Sequence, residues 1–175
     1  MSFSRPPPRP PGKLWENRKT AATRLVDNVV IVVHTGSAPS NEEWKTYIDT
    51  VLDGGKRFGG DLRLCRQLVL SDGGGPNSAQ RAMAQKAAEQ MNGAQMPVAV
   101  VSASAFVRGI VTAFNWFNMN LRAFHPGDAR SVIDFLGIDP LVAQEIWTEL
   151  EEIQEELGPV KTVEAFGEAF EQPPK

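Results

Sequence analysis

The segment Leu68-Val69-Leu70-Ser71-Asp72-Gly73-Gly74-Gly75-Pro76-Asn77-Ser78 joins an apolar run to a long alanine-rich segment through three consecutive glycines. This order is typical of a strand, a tight turn and a helix, the repeating unit of a parallel sheet covered by helices. Backbone N–H groups at the start of such a helix can face an anion, with the helix dipole behind them. The segment therefore predicts an α/β fold and a place for a site, and it leaves the ligand open.

Strand patterns occur at five places along the chain, and they cover residues 20–27, 29–35, 63–70, 97–101 and 121–124. The pair Asp27-Asn28 predicts a tight hairpin turn between the first two strands. The second strand contains five consecutive β-branched residues, from Val29 to Val33, which favours a strand buried on both faces.

Helix signals lie between these strands. Ser40 and Glu43 form a predicted capping box for a helix that ends before Gly54-Gly55. Pro76 suits the first position of the next helix, which is expected to turn small residues toward the sheet. That predicted face consists of Ala79, Ala82, Met83, Ala87 and Met91. A third helix carries an apolar stripe of Phe106, Val107, Ile110, Val111, Phe114 and Phe117.

Further helices are predicted near the C-terminus. One covers residues 128–136 and is closed by Gly137, and a longer one starts at Asp139-Pro140 and ends at Gly158-Pro159. A short helix follows over residues 161–171. Strands that alternate with helices imply parallel pairing with right-handed crossovers. The predicted fold class is therefore α/β: a mixed sheet of about five strands with an antiparallel first hairpin, then parallel strands, covering helices and an extra C-terminal helix.

The chain divides into four predicted parts. Residues 1–19 are a proline-rich basic arm without a packed core, which we expect to be disordered. Residues 20–137 form the α/β domain. Residues 138–158 form an amphipathic helix that packs either on this domain or on a partner, and residues 159–175 are an acidic tail with a short helix.

Composition and charge exclude several classes of protein. The net charge of −3 hides a basic start and an acidic end, since nine glutamates lie in residues 140–175. The two ends are either solvated separately or attract each other, within one chain or between subunits. The basic residues of residues 1–24 are few, are spread through a proline-rich arm and are not interleaved with several aromatics, so nucleic-acid binding is not expected. Cys65 is the only cysteine, and the sequence shows neither a secretory signal nor a transmembrane run, which favours a cytoplasmic protein.

The carboxyl ends of the predicted strands meet at one edge, where open parallel sheets bind ligands. His34, Asp72 and His125 at this edge could serve as acid, base or metal ligands. In the alternative that we favour, Asp72 caps the glycine turn and both histidines bond to loop backbone. We therefore predict no catalytic residue, no metal and no cofactor. The candidate binding residues for a partner or ligand are Ser71, Asp72, Gly73, Gly74, Gly75, Asn77, Ser78, His34, Ser104 and His125.

The three glycines do not match the known phosphate-binding loops. No Lys-Ser or Lys-Thr pair follows Gly75, as a P-loop requires, and the third glycine of the dinucleotide fingerprint is missing. Glycine here is better explained by a backbone conformation with positive φ and by close packing of helix and sheet.

Three segments together resemble the STAS fold, and more specifically the SpoIIAA-like group related to anti-sigma-factor antagonists. They are Val29–Gly36, Ser40-Asn41-Glu42-Glu43-Trp44 and Leu68–Gly75, within a resemblance that covers roughly residues 22–136. The resemblance implies a STAS-like sheet and a protein partner. It also implies a phosphorylated serine at the helix start, but Gly73 or Gly74 occupies that position here, while Asp72 matches the family's aspartate. Ser78 does not match the phosphorylated position, and we expect its hydroxyl to bond to backbone.

The resulting functional hypothesis is a non-enzymatic protein-interaction module in a cytoplasmic regulatory or assembly system, without the phospho-serine switch. Its partner surface is expected at the turn of residues 72–78 and the helix that follows. The alternative is a domain that binds a small ligand, an anion or a lipid. One form of this alternative is a weak enzyme. It would use the strand-end edge near Asp72 and the helix N-terminus after Gly75. Trp147 and Ile153 are the candidate contacts of a homodimer.

Overall fold

A five-stranded sheet lies at the centre of the computed structural model of the chain, which describes residues 18–92, 95–105, 107–108, 111 and 120–171. The strands follow one another across the sheet in sequence order: β1 (Ala21–Val26), β2 (Val29–His34), β3 (Arg66–Ser71), β4 (Val98–Val101) and β5 (Leu121–Phe124). The pair β1–β2 is antiparallel and every later pair is parallel. The predicted fold class is therefore confirmed.

The hairpin between β1 and β2 follows from its two turn residues. Val26 pairs directly with Val29, so the turn contains only Asp27 and Asn28. Asp27 has a φ of 50°, in the left-handed region that aspartate and asparagine tolerate better than most residues. Because the turn is so short, β1 and β2 lie side by side and antiparallel. β1 is the outermost strand and forms an edge of the sheet.

Five helices in the described residues cover the two faces of the sheet: α1 (Asn41–Arg57), α2 (Ser78–Glu89), α3 (Ala129–Leu136), α4 (Pro140–Leu157) and α5 (Lys161–Glu171). One apolar core lies between the sheet and α1 and α2, and it includes Val30, Val32 and Val51. The other lies between the opposite face and the three C-terminal helices, and it includes Ile31 and Ile153. Burial on both faces explains the unbroken β-branched run of β2.

The predicted end of α1 was wrong, because the helix continues through Gly54 and Gly55 to Arg57. Both glycines are buried where the last turns of α1 meet the sheet and a neighbouring loop. A Cβ atom at Gly55 would lie 2.8 Å from the Met91 sulfur and 3.0 Å from Leu62. The absence of a side chain lets α1 lie close to these neighbours, which outweighs the low helix propensity of glycine.

Most of the other helix-end signals were correct. Ser40 and Glu43 make both hydrogen bonds of the capping box, and Asp139 caps α4 with Pro140 in its first turn. Gly137 ends α3 with a φ of 61°. The strand predicted over residues 63–70 is shorter at its start, because a 3₁₀ turn occupies Leu62–Leu64.

The C-terminal helices pack on the domain rather than standing apart from it. Ile153 is fully buried in the core beneath α4. Trp147 packs onto Gly167 of α5, where a Cβ atom would overlap the indole ring. Residues 138–158 were predicted to pack either on this domain or on a partner, and in the structure they pack on the domain. Trp147 and Ile153, the proposed dimer contacts, both pack within the chain. A homodimer through them stays a prediction.

Two predicted features lie largely or wholly outside the described residues. These are the arm before Arg18 and most of the helix with the stripe from Phe106 to Phe117, of which the described positions Val107 and Val111 are helical. In the part of the chain that is described, no helix combines the length and the apolar character needed to cross a membrane.

Candidate functional site

The carboxyl ends of the parallel strands meet at one edge, as predicted. His34 pairs with Ser71, and Leu70 pairs with Val101 on the next strand. Ser102, one residue beyond Val101, donates its backbone N–H to the Phe124 carbonyl oxygen at 3.1 Å. The register thus brings the predicted residues of four strands to the same side of the molecule.

The glycine turn is closed by its own hydrogen bonds. The Ser71 hydroxyl donates to the Gly74 carbonyl oxygen at 2.7 Å and accepts the Gly73 N–H at 3.0 Å. The Gly74 N–H donates to the Thr35 carbonyl oxygen at 2.9 Å. Two backbone donors that could face an anion are therefore already engaged. Gly73 has a φ of 121°, which confirms the expected need for glycine in this turn.

Gly74 lies in contact with the neighbouring loop. A Cβ atom there would be 2.3 Å from the Thr35 carbonyl oxygen and 2.1 Å from that of Ser37. Since both neighbours are backbone atoms, they cannot rotate away as a flexible side chain can. The turn therefore packs against the loop after β2 through backbone contacts.

Asp72 has a different role from the one predicted. Its carboxylate accepts the N–H of Lys161 at 2.9 Å and the N–H of Thr162 at 2.8 Å, so it caps α5 rather than the glycine turn. The Thr162 hydroxyl donates in turn to the Ser71 carbonyl oxygen at 3.0 Å. Asp72 thus holds the last helix on the sheet.

The start of α2 lies two residues later than predicted. Asn77 is the N-cap, and its side chain accepts the Gln80 N–H at 2.9 Å while the Gln80 side chain accepts the Asn77 N–H at 3.0 Å. Pro76 therefore precedes the cap instead of starting the helix. The Ser78 hydroxyl is exposed and accepts a hydrogen bond from Arg81, so the predicted bond to backbone is not the contact that it makes.

Buried Gln80 joins the starts of two helices. Its amide donates to the Pro39 carbonyl oxygen and to the Asn41 side chain, both at 3.1 Å. Its backbone carbonyl oxygen accepts the Trp44 indole N–H at 2.7 Å. Sequence reasoning missed this residue, although the spacing of Asn77 and Gln80 matches a capping pair and could have revealed it.

His34 carries a buried polar atom at this edge for which the described residues offer no hydrogen-bond partner. Its side chain is buried against the Trp44 ring, with 6.4 Å between the ring centres. The Nδ1 atom has no hydrogen-bond partner within the described residues. Burial lowers the pKa of His34 to about 4, against a smaller opposing effect of the Glu43 carboxylate.

The side chains of Ser104 and His125 both accept hydrogen bonds from nearby backbone N–H groups. The Ser104 hydroxyl accepts the Val107 N–H at 3.3 Å. The His125 Nδ1 atom accepts the Gly127 N–H at 3.1 Å, and the His125 N–H donates to the Asp128 carboxylate. His125 thus fits the predicted interpretation, in which it bonds to a loop.

Part of the α2 face that was predicted to pack is exposed. Ala79, Ala82 and Met83 are exposed, and the Met83 side chain is 52% accessible. The helix packs through Ala87 and Met91, as predicted, and through Gln80, Ala84 and Ala88, which were not predicted to pack. An apolar face beside the glycine turn is therefore open to solvent.

A groove of about 570 Å³ lies elsewhere, along the outer edge of β1. Seven successive residues of the chain, 18–24, line it, with the start of α1 on one side and Glu156 of α4 on the other. Sequence reasoning missed this groove. The predicted hairpin did indicate that β1 lies at a sheet edge, but not which helices would flank it.

Glu43 organises one side of the groove. Its carboxylate accepts the Thr20 hydroxyl and the backbone N–H groups of Thr20, Ala21 and Ser40, at distances of 2.6 to 3.2 Å. Burial alone would raise the pKa of Glu43, but these hydrogen bonds outweigh it and lower the pKa to about 2. The carboxylate therefore stays charged and ties β1 to α1.

The basic start of the chain contacts the acidic helix α4 within one chain. Lys19 forms an ion pair with Glu156, and Arg24 contacts Glu156 at 2.6 Å and Glu149 at 3.5 Å. The Lys19 hydrogen bond and, after it, the Arg24 contact lower the pKa of Glu156. Of the two interpretations of the charge asymmetry, these contacts agree with mutual attraction.

The side chains at the strand-end edge and at the β1 groove limit the chemistry that either place can support. No three His, Cys, Asp or Glu side chains of the described residues are grouped to hold a metal ion. No known protein family, no curated protein and no solved structure matches the chain. The STAS resemblance stays a prediction, and the function has to be argued from the geometry alone.

Proposed function

We propose that the chain is a non-enzymatic protein-interaction module, a STAS-like one, of a cytoplasmic regulatory or assembly system. Its partner surface is the exposed face of α2 together with the turn of residues 72–78. The observation that carries the proposal is the apolar face of Ala79, Ala82 and Met83, exposed on a helix whose opposite face packs on the domain. Exposed apolar side chains beside a rigid turn are typical of partner surfaces.

The hydrogen bonds of the turn support an interaction role over a phospho-switch or a reaction. Asp72 is engaged by α5, and the Ser71 hydroxyl closes the turn. Glycine stands where the STAS family has its phosphorylated serine. A turn held in this way offers a fixed shape for recognition, because few of its polar groups are free to change partner.

Substitution of Met83 tests this proposal. Met83→Asp places a charge on the exposed face of α2, and Leu141→Asp is the matched control, because Leu141 is 78% exposed on a different helix. We expect a partner protein to co-purify with the wild type and with Leu141→Asp but not with Met83→Asp. The purified partner should also bind the wild type and Leu141→Asp directly, and Met83→Asp more weakly. A partner that binds all three proteins equally, or no partner at all, overturns the proposal.

One observation favours the second candidate, a domain for a small ligand, an anion or a lipid at the strand-end edge. The His34 Nδ1 atom is buried there without a hydrogen-bond partner among the described residues, and such groups are usually satisfied. Thermal unfolding with nucleotides, inorganic phosphate or lipids tests this candidate, since a ligand at 100 times its dissociation constant adds about 2.7 kcal/mol of stability. An unchanged midpoint with every compound rejects it.

A further inference from the structure

The outer edge of β1 presents backbone groups in a defined pattern. The Thr35 N–H donates to the Thr20 carbonyl oxygen at 2.9 Å, so Thr20 directs its carbonyl toward β2. In an antiparallel pair, residues alternate between those that face the partner strand and those that face away. Ala22 therefore faces β2 with its backbone groups, and Ala21 and Thr23 direct theirs into the groove.

Two side-chain contacts agree with this assignment. The Ala21 N–H donates to the Glu43 carboxylate at 3.2 Å. The Thr23 carbonyl oxygen accepts from the Arg24 guanidinium at 3.1 Å. Each of the two outward-facing residues thus has one backbone group engaged by a side chain of the chain itself, and edge strands are commonly protected in this way.

These contacts leave one register open for an added strand. A strand that pairs with Ala21 or Thr23 itself needs both the N–H and the C=O of that residue, and each of the two residues has lost one of them. A strand that lies opposite Ala22, in either direction, needs only the C=O of Ala21 and the N–H of Thr23, which flank Ala22. Neither of these groups makes a hydrogen bond to another described residue.

We propose that this groove binds an extended peptide segment of a partner protein, which adds to the edge of β1 opposite Ala22. The groove volume of about 570 Å³ suits a short segment. Addition of a strand to a sheet edge is an established mode of peptide recognition, in which main-chain bonds supply affinity and side-chain contacts supply specificity. The site lies on a different element from α2, and it stands or falls separately from the partner surface proposed above.

The two walls of the groove define the peptide that fits. Side chains of an added strand point alternately to the two walls. The residue opposite Ala22 faces Arg24, which Glu149 and Glu156 already neutralise, so a small uncharged residue fits there. Its neighbours face the α1 wall, where Glu42 is exposed and forms no ion pair with a described residue. The preferred segment therefore carries Lys or Arg beside a small residue.

A variant that removes one donor tests the site. Random heptapeptides are selected on the full chain, and the affinity of a selected peptide is measured by fluorescence polarisation. Thr23→Pro removes the N–H without disturbing the ladder to β2, because proline is tolerated where the N–H faces outward. Thr23→Val keeps the N–H and is the matched control. We expect Thr23→Pro to weaken binding about tenfold, Thr23→Val to leave it within about twofold, and Glu42→Gln to weaken peptides with Lys or Arg.

Amide exchange keeps the test decisive if Thr23→Pro fails to fold. In the wild type, the bound peptide must slow the exchange of the Thr23 N–H. The exchange rate of the Ala22 N–H must stay unchanged, because this group faces β2. Equal affinity for Thr23→Pro and the wild type, unchanged exchange at Thr23, or failure to select any peptide overturns the proposal.

Discussion

The strand-end turn and the β1 groove differ in how far the chain satisfies its own polar groups. In the turn, Ser71, Asp72 and Gly74 all bond to other parts of the fold. In the groove, Glu43 and Arg24 engage one backbone group each of two residues, and the other backbone groups of these residues make no hydrogen bond to the part of the chain that the structure describes. Sequence motifs drew attention to the turn, yet recognition through main-chain bonds is better provided for at the groove. A residue type that is typical of binding sites is not evidence that its polar atoms are available.

The largest effect is expected where the turn is most tightly closed. Gly74→Ala forces a Cβ atom against two backbone carbonyls, at 2.1 Å and 2.3 Å. We expect the free energy of unfolding to fall by about 3 kcal/mol or more. Gly75→Ala is the control, because a Cβ atom there meets nothing within 4 Å. Equal stability of the two variants in urea would show that the turn is not closed.

The next effect depends on pH. His34 has a pKa of about 4 in the folded chain and 6.5 when unfolded. Stability due to the neutral ring is therefore complete above pH 6.5 and is lost as the pH falls toward 4, by about 3 kcal/mol. His34→Phe removes this loss. Urea titrations of both proteins from pH 7 to 4 measure it, and parallel curves would contradict it.

Glu43 acts in a lower and separate pH range. Its pKa of about 2 in the folded chain lies below the ordinary value of 4.5, so its contribution is present above pH 4.5 and is lost as the pH falls toward 2. The His34→Phe variant should keep this lower transition, which distinguishes the two groups.

Loss of the α5 cap is expected to cost less. Asp72→Ala removes the acceptor of two N–H groups and should lower stability by about 1 to 2 kcal/mol. The amides of Lys161 and Thr162 should then exchange faster. Asp72→Asn, which keeps one acceptor oxygen, should lose less. Unchanged exchange at both amides would mean that the turn does not hold α5.

The smallest effect on stability is expected at the groove. Arg24→Ala removes partly exposed ion pairs and should cost less than about 1 kcal/mol. It also frees the Thr23 carbonyl oxygen, so both backbone groups of Thr23 become available to an added strand and the chain should self-associate at high concentration. Lys19→Ala, which removes an ion pair without freeing a backbone group, is the control. Equal sedimentation of the two variants would contradict the assigned edge pattern.

Local signals predicted local structure well. The hairpin at Asp27-Asn28, the capping box of Ser40 and the end of α3 at Gly137 each depend on residues within a few positions of one another. The order of strands and helices then sufficed for the sheet. Errors arose where distant packing overrode a local preference, as at Gly54 and Gly55, which pack against elements far along the chain.

The meeting of the strand ends at one edge could be predicted from the sequence, but the contacts made there could not. Register alone brought His34 beside Ser71. Asp72 was assigned to the glycine turn because the partner that it has, the start of α5, lies 89 residues away and leaves no local trace. The outward face of α2 was misjudged because alanines fit both a packed and an exposed face, and helical periodicity alone cannot distinguish them.

The bond from Asp72 to α5 also bears on how the chain reaches its final form. Its two ends are 89 positions apart, so closing the loop between them carries a large entropic cost. During synthesis, the sheet emerges before the last helix is complete. The chain therefore passes through a stage in which the Asp72 carboxylate is uncovered and one face of the sheet lacks its last helix. That stage is when we expect the protein to be most exposed to proteases and to aggregation.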